Sequence, residues 1–284
     1  MIAVTAAAPP VVVGIDESAD ALQAVRWAVP AAQRRGAPLH LVTVFPWAAP
    51  PPPRQVRRGA AYRDTLEQRA REHLAAATQL AESLAPDHPV ESILRTGNPA
   101  AELLAAASGA QLVVVGRCGD AQLRPIAGSV AMAMATHAPC PVVVVRGLGG
   151  AGSANGADQR PVVVGIDGTE GSVAATAFAF EEASARRVPL IAVHAVGGRP
   201  ADAPAHRALL DERLRPWTEK YPDVDVRSVI TLERPVVRLL AEAENAQLLV
   251  VGSRGRGELA SVVLGSVSSD AVHRAACPVA VVRA

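Results

Sequence analysis

The chain has almost no lysine and few aromatic residues. Lys220 is the only lysine, so no Gly-Lys-Ser/Thr sequence exists and a Walker-type phosphate loop is excluded. Aromatic residues make up 3% of the chain, whereas 50% of it is hydrophobic. The apolar material is therefore enough for sizeable cores, and these cores must be built from alanine, valine and leucine.

Cysteine and histidine offer no clustered chemistry. The three cysteines, Cys118, Cys140 and Cys277, are far apart and form no Cys-x-x-Cys pair. This spacing argues against a disulfide framework and against a zinc site, and it indicates a reducing compartment. The histidines are scattered, and we expect structural or surface roles for them, with His194 at a strand end near the ligand pocket.

Long apolar runs and a strong net charge are also absent. No run approaches the roughly 18–20 residues that a membrane helix needs. The apolar start, residues 1–8, has no basic residues before it and does not match a signal peptide. A net charge of +1 gives no reason to expect nucleic acid as a partner. We therefore expect a soluble, cytoplasmic protein without a membrane span.

The order of apolar runs occurs twice along the 284 residues. The segment Pro10–Asp16 returns as Pro161–Asp167, and Val142–Val145 returns as Val279–Val282. Between the copies lies a stretch rich in glycine, alanine and serine, which is typical of a flexible linker. The sequence predicts a tandem duplication, with domain 1 over residues 1–147, a linker over 148–159 and domain 2 over 160–284.

Short strands and helices alternate within each copy. This alternation predicts an α/β fold: two tandem doubly wound domains, each a Rossmann-like five-stranded parallel sheet with helices on both faces. Ser18 can cap the first helix, and a long helix is expected over residues 62–84. Ligands of such sheets bind at the carboxyl ends of strands, where the strand order reverses. If the first and fourth strands of each copy are neighbours at that point, the loops after them face each other.

A glycine-rich stretch follows the fourth strand of the second copy. The strand ends at Gly252, Gly255 follows, and Gly265-Ser266 stands before the next helix. Glycines let backbone amides approach a ligand, and a helix start offers unpaired N–H groups and a positive dipole end. Arg254 adds positive charge. The stretch therefore suits an anion such as a phosphate chain, and a carboxylate opposite it suits ribose hydroxyls.

Simpler interpretations of these residues exist. The glycine stretch could be only a tight connection between strand and helix. Asp16 and Asp167 could cap the helices that follow them, and Ser266 is a good N-cap with or without phosphate. The segment 233–235 has lost the glycine of its first-copy counterpart, Gly97, and is expected to be structural.

At this point the chain resembles the universal stress protein family in its tandem two-domain form, over nearly its whole length. ATP-binding members of that family carry Gly-x2-Gly-x9-Gly-Ser/Thr after the fourth strand. Gly252, Gly255, Gly265 and Ser266 match this motif without a gap. The resemblance implies that Gly252 approaches the ribose and that the other three hold the phosphates.

The resemblance extends to the first two strands of each copy. The family has an aspartate at the end of its first strand, matched by Asp16 and Asp167. Its second strand reads adenine through backbone atoms, which falls near Val44 and Ala195. These residues are therefore implied to contact the nucleoside part of ATP.

The first copy departs from the motif. Gly116 and Gly119 are followed by only eight residues before Gly128-Ser129, and Asp120 stands where the second copy has Arg256. A shorter loop changes the direction of the backbone N–H groups that would bind phosphate, and an acidic residue repels phosphate. Both copies carry candidate cofactor-binding residues, but we expect the second site to be the better one.

The resemblance implies an ATP-binding protein, with Mg2+ bridging the phosphates, that acts as a nucleotide-dependent regulator of stress response or growth. No general base stands with a nucleophile, so we expect no catalytic or metal-ligating residues and at most slow ATP hydrolysis. The family also implies that the last strands mediate pairing between such domains, that the whole chain forms a homodimer, and that it has an unidentified regulatory partner. The alternative is a nucleotide-free interaction module of the same fold. An adenylate-handling enzyme would need signatures that the sequence lacks.

Overall fold

The computed structural model describes residues 8–46, 56–117, 128–146, 159–196, 203–254 and 264–283, with the side chains of 56–61 and 203 excepted. The chain divides into two compact units, Met1–Val145 and Arg146–Ala284. The predicted linker, 148–159, lies outside the described residues except for its last residue.

The first domain alternates strands and helices from beginning to end. Its elements are β1 (Val11–Ile15), α1 (Ala19–Arg35), β2 (Leu39–Phe45), α2 (Val56–Leu84), β3 (Val90–Thr96), α3 (Pro99–Ala107), β4 (Leu112–Gly116), α4 (Ser129–His137) and β5 (Val142–Val145).

Helix α1 begins and ends where its sequence signals predict. The Ser18 hydroxyl accepts a hydrogen bond from the Ala21 N–H at 3.1 Å and caps the helix, as predicted. Gly36 ends it in the left-handed conformation, at φ 59°, which favours glycine. Helix α2, in contrast, begins at Val56 and not at residue 62 as predicted. Arg57, Arg58 and the alanines that follow are strong helix formers and outweigh Gly59.

The strands of the first domain form a parallel sheet in the order β3-β2-β1-β4-β5. Val11 lies beside Leu39 of β2 on one side and Leu112 of β4 on the other. The chain therefore leaves β1 at the point where the strand order reverses. Helices α1 and α2 contact each other, as do α3 and α4, so helices cover both faces of the sheet.

The second domain repeats this plan. Its elements are β6 (Val162–Gly165), α5 (Glu170–Arg186), β7 (Leu190–Ala195), α6 (Ala203–Lys220), β8 (Val226–Thr231), α7 (Pro235–Ala243), β9 (Leu248–Gly252), α8 (Ser266–Arg274) and β10 (Val279–Val282). The strand order is β8-β7-β6-β9-β10, with β6 parallel to both β7 and β9. The predicted fold class is therefore confirmed.

Valine, leucine and alanine fill both cores. The central strands β1, β4, β6 and β9 are buried over almost their entire length, which is typical of parallel strands covered on both faces. Among the helices of the described ranges, none is both long enough and apolar enough to cross a membrane.

Candidate functional site

Each domain has a cavity at the carboxyl edge of its sheet, where the strand order reverses. The first, of about 360 Å3, brings together Asp16 after β1, Val44 at the end of β2 and Gly116 at the end of β4. These three predicted residues meet because the strands that carry them are neighbours. Gly128 and Ser129 are described but do not belong to the lining, which α4 enters only through Val130.

The second cavity is larger, at about 820 Å3, and collects more of the predicted residues. Its lining includes six of them, from the ends of β6, β7 and β9 and the start of α8: Asp167, Ala195, Gly252, Arg254, Gly265 and Ser266. Gly119 and Gly255, the remaining predicted glycines, lie outside the described residues.

Both aspartates are held by the start of the next helix. Asp16 Oδ1 accepts hydrogen bonds from the Ser18 N–H at 3.0 Å and the Ser18 hydroxyl at 2.5 Å. Asp167 Oδ1 accepts from the Thr169 N–H at 2.9 Å and hydroxyl at 2.7 Å. Ser18 and Thr169 are the N-caps, so the aspartates support the caps and are not caps themselves. This turn fixes a carboxylate at the edge of each cavity.

The two loops after β4 and β9 are pinned where they begin and return. The Gly128 N–H donates to the Arg117 carbonyl at 2.6 Å, and the Gly265 N–H donates to the Ser253 carbonyl at 2.9 Å. The start of each loop is also tied to the last strand of its domain, through the N–H groups of Arg117 and Ser253. The two described ends of each loop therefore lie together beside the cavity.

Gly116 and Gly252 allow these strand ends to approach a helix start. A Cβ on Gly116 would lie 2.8 Å from the Asp20 carbonyl carbon and 2.9 Å from the Ala21 nitrogen. A Cβ on Gly252 would lie 3.0 Å from the backbone of Gly171. Close packing alone is thus sufficient to require glycine at both positions. The simpler interpretation, in which these glycines serve only a tight connection between strand and helix, therefore has a physical basis.

The prediction that Ser266 caps α8 is wrong. Gly265 is the N-cap, with no side-chain cap bond, and Ser266 is the first helical residue. The boundary follows from the loop closure, since the bond from the Gly265 N–H to Ser253 holds Gly265 in an extended conformation, at φ −60° and ψ 150°. The first turn of α8 contains three serines, and the hydroxyl of one of them, Ser268, donates to the Gly252 carbonyl at 2.5 Å.

The segment 233–235, expected to be structural, lines the second cavity. In the first domain, Asn98 caps α3 by accepting from the Ala101 N–H at 3.1 Å. Arg234 occupies the corresponding N-cap of α7 and makes no side-chain cap bond. Sequence reasoning missed Arg234 as a site residue, although the exchange of a capping asparagine for an arginine was a readable signal.

The two cavities differ in where their basic groups come from. The second holds Arg234 and Arg254, on the loops after β8 and β9. The first holds Arg69 and His73, both on α2. Each cavity thus combines basic side chains with an aspartate, and neither can be described as uniformly acidic or basic. Within the described ranges, no group of three or more histidine, cysteine or acidic residues could hold a metal ion.

The family model for "Universal stress protein family" matches residues 9–146 and again 159–283. The chain belongs to the universal stress protein family. A universal stress protein of Mycolicibacterium smegmatis is 40% identical over 96% of each chain. Universal stress protein Rv2005c of Mycobacterium tuberculosis is 38% identical, again over 96% of each chain.

A solved universal stress protein has the same fold. The crystal structure of a universal stress protein from Archaeoglobus fulgidus covers 97% of this chain and 98% of its own, with a TM-score of 0.74 at 20% identity. The tandem arrangement of two universal stress protein domains, expected from the sequence, is therefore shown by the family match and by full-length relatives.

Proposed function

We propose that this universal stress protein binds ATP and acts as a nucleotide-dependent regulator, with the second domain as its main site. The single observation that carries the proposal is the second cavity. It assembles an aspartate, the described part of the glycine motif and two arginines at one sheet edge. A ligand with hydroxyls at one end and several negative charges at the other fits this arrangement.

The order of the strands supports a direction for the nucleotide. Asp167 follows β6, the central strand, and would accept hydrogen bonds from the ribose hydroxyls. Phosphates would lie on the β9 side, over Gly252 and the N-terminus of α8, where Arg254 and Arg234 compensate their charge. The base would lie on the β7 side, near Ala195. Mg2+ would bind between the phosphate oxygens, as it commonly does in nucleotide sites.

A regulator fits better than an efficient enzyme. The described lining of the second cavity offers hydroxyls and two carboxylates, Asp167 and Glu233, but no histidine beside them that could activate a nucleophile. We further propose a cytoplasmic homodimer that signals its nucleotide state to a protein partner. ATP would be hydrolysed slowly or not at all.

Isothermal titration of the purified protein with Mg-ATP tests the proposal through its stoichiometry. We expect about one tight site per chain, assigned to the second domain. Arg254→Ala should weaken that site roughly three- to tenfold, because a charge-assisted contact is lost. Arg215→Ala is the matched control, since Arg215 is an exposed arginine on α6 that lines neither cavity. Absence of binding by folded, nucleotide-free protein would contradict the proposal and favour an interaction module.

A further inference from the structure

The first cavity continues sideways from the sheet edge to α2. The walls of this extension are Thr43 of β2 and Leu66, Ala70 and His73 of α2, which we call the α2 chamber. Thr43 is 4% exposed and Ala70 is 8% exposed, so the chamber reaches into the buried layer between sheet and helix. The described lining of the second cavity includes no residue of α6, the counterpart of α2.

Two histidines occupy the equivalent space in the second domain. Thr43 lies beside Ile15, the last residue of β1, and His194 lies at the same place beside Ile166. His194 is 1% exposed, and its Nδ1 lies 2.6 Å from the Ile166 carbonyl oxygen. Its Nε2 lies 3.3 Å from Nδ1 of His206. The hydrogen-bonded imidazoles thus fill what is open space in the first domain.

The positions of Ala70 and His206 also correspond. Helices α2 and α6 finish with the same backbone hydrogen bonds, made by the N–H groups of Ala85 and Tyr221. Counting back from these matched ends places His206 where α2 has Ala70. Small residues at both positions, Thr43 and Ala70, therefore create the α2 chamber, and large residues at both positions close it.

Thr43 brings an unused polar group to this chamber. Its hydroxyl oxygen is buried and has no hydrogen-bond partner in the part of the chain that the structure describes. A buried hydroxyl without a partner destabilises a protein and is uncommon in native structures. Because the hydroxyl and methyl groups of threonine are similar in size, rotation about χ1 can present the oxygen to a ligand in the chamber.

The strand order says which part of a nucleotide would reach Thr43. Asp16 on the central strand β1 would hold the ribose, and the loop after β4 lies on one side of it. The base must then point to the other side, towards β2, where the cavity is bounded by Leu103 of α3 and by the α2 chamber. The chamber has apolar walls, Leu66 and Ala70, which suit the faces of an aromatic ring.

We propose that the first domain recognises the base of its nucleotide in the α2 chamber, with the Thr43 hydroxyl as the polar contact to the base edge. This inference rests on the proposed nucleotide binding and adds that the two domains hold the base differently. In the second domain, His194 and His206 exclude the base from the equivalent position. There the base is limited to the α7 side, near Ala195 and Leu239.

The test uses the full chain carrying Asp167→Ala, which disables the second site and leaves the first to be titrated with Mg-ATP. In this chain Thr43→Val keeps the side-chain shape but removes the hydroxyl, and it should weaken ATP binding about tenfold. Thr43→Ser keeps the hydroxyl and should bind ATP nearly as tightly as the chain with Thr43. Without ligand, Thr43→Val should melt at the same temperature or higher, because an unsatisfied buried hydroxyl has been removed.

Thr176→Val is the matched control, because Thr176 is equally buried but its hydroxyl donates to the Ser172 carbonyl at 2.7 Å. It should lower the melting temperature and leave ATP binding at the first site unchanged. Equal ATP affinities of Thr43→Val and Thr43→Ser would overturn the inference while leaving nucleotide binding intact. No ATP binding by the Asp167→Ala chain would overturn nucleotide binding in the first domain itself, and the inference with it.

Discussion

The two cavities of this protein share the strand ends and loop ends that carry the aspartate and the glycines, which we call the frame. They differ in part of the surrounding side chains, which we call the walls. In both, an aspartate is fixed by an N-capping hydroxyl, a glycine ends the fourth strand against a helix start, and a pinned loop follows. The walls contributed by the neighbouring helices are shared only in part, since Leu103 of α3 and Leu239 of α7 occupy the same place in the two cavities. The first cavity also extends to α2, whereas the described lining of the second includes no residue of α6.

This difference shows which parts of a duplicated site can change independently. The frame depends on backbone contacts that must close within a few tenths of an ångström, so it leaves little room for substitution. The walls depend on side chains such as Thr43 or His194 and Asn98 or Arg234, which can be exchanged without altering the strand order. Two sites of different size and charge distribution can therefore arise on one fold.

The largest expected effect concerns the frame. Gly116→Ala should destabilise the first domain by about 1–3 kcal/mol, because its Cβ would meet backbone atoms of Asp20 and Ala21 that cannot move alone. Gly252→Ala should cost less, since its Cβ would meet the backbone of Gly171 at a slightly longer distance. Urea denaturation, with hydrogen exchange to localise the unfolding, measures both. A larger loss for Gly252→Ala would reverse the comparison.

A smaller effect concerns the wall at α7. Arg234→Asn should give α7 the cap that α3 has in Asn98, and stabilise the second domain by about 1 kcal/mol. The same change should weaken ATP binding several-fold, because a guanidinium leaves the cavity. Asn98→Arg is the reciprocal control and should destabilise the first domain by a similar amount. Unchanged ATP affinity of Arg234→Asn would exclude Arg234 from the phosphate site.

The smallest effect compares the two equivalent cysteines. Burial raises the pKa of the Cys140 thiol to about 11 and that of Cys277 to about 12, partly offset by backbone hydrogen bonds. A raised thiol pKa means that the reactive thiolate is scarce near neutral pH. In a Cys118→Ser chain, alkylation should be slow at about pH 8 and accelerate as pH rises, with Cys140 reacting before Cys277. Reaction of Cys277 at the rate of an exposed thiol would contradict this burial.

The frame could be predicted from the sequence, because it depends on local signals and on the order of the elements along the chain. Alternation of strands and helices predicts a doubly wound parallel sheet, and if β1 and β4 are neighbours in it, as the structure shows, Asp16 and Gly116 lie at one edge. The same reasoning brings Asp167 and Gly252 together. These four residues therefore reach their cavities without any knowledge of helix packing, whereas Gly128 and Ser129 do not line the first cavity.

The walls could not be predicted from the sequence, because they depend on contacts between elements that are far apart in the chain. Nothing local to Thr43 indicates that its hydroxyl has no partner; that depends on Ala70 being small. The helix boundary at Gly265 is a second example, since it is set by a hydrogen bond to Ser253 across the loop. Ser266 has the better side chain for a cap, and tertiary structure overrides that preference.

Separate titrations of Asp16→Ala and Asp167→Ala with Mg-ATP test the central claim, that the second domain is the better nucleotide site. Both variants remove the same hydrogen bonds from an aspartate to an N-cap residue. A difference in ATP affinity between them therefore measures a difference between the two nucleotide sites. We expect Asp167→Ala to abolish the tight ATP site and Asp16→Ala to leave it almost unchanged. Equal losses of affinity in the two variants would contradict the claim.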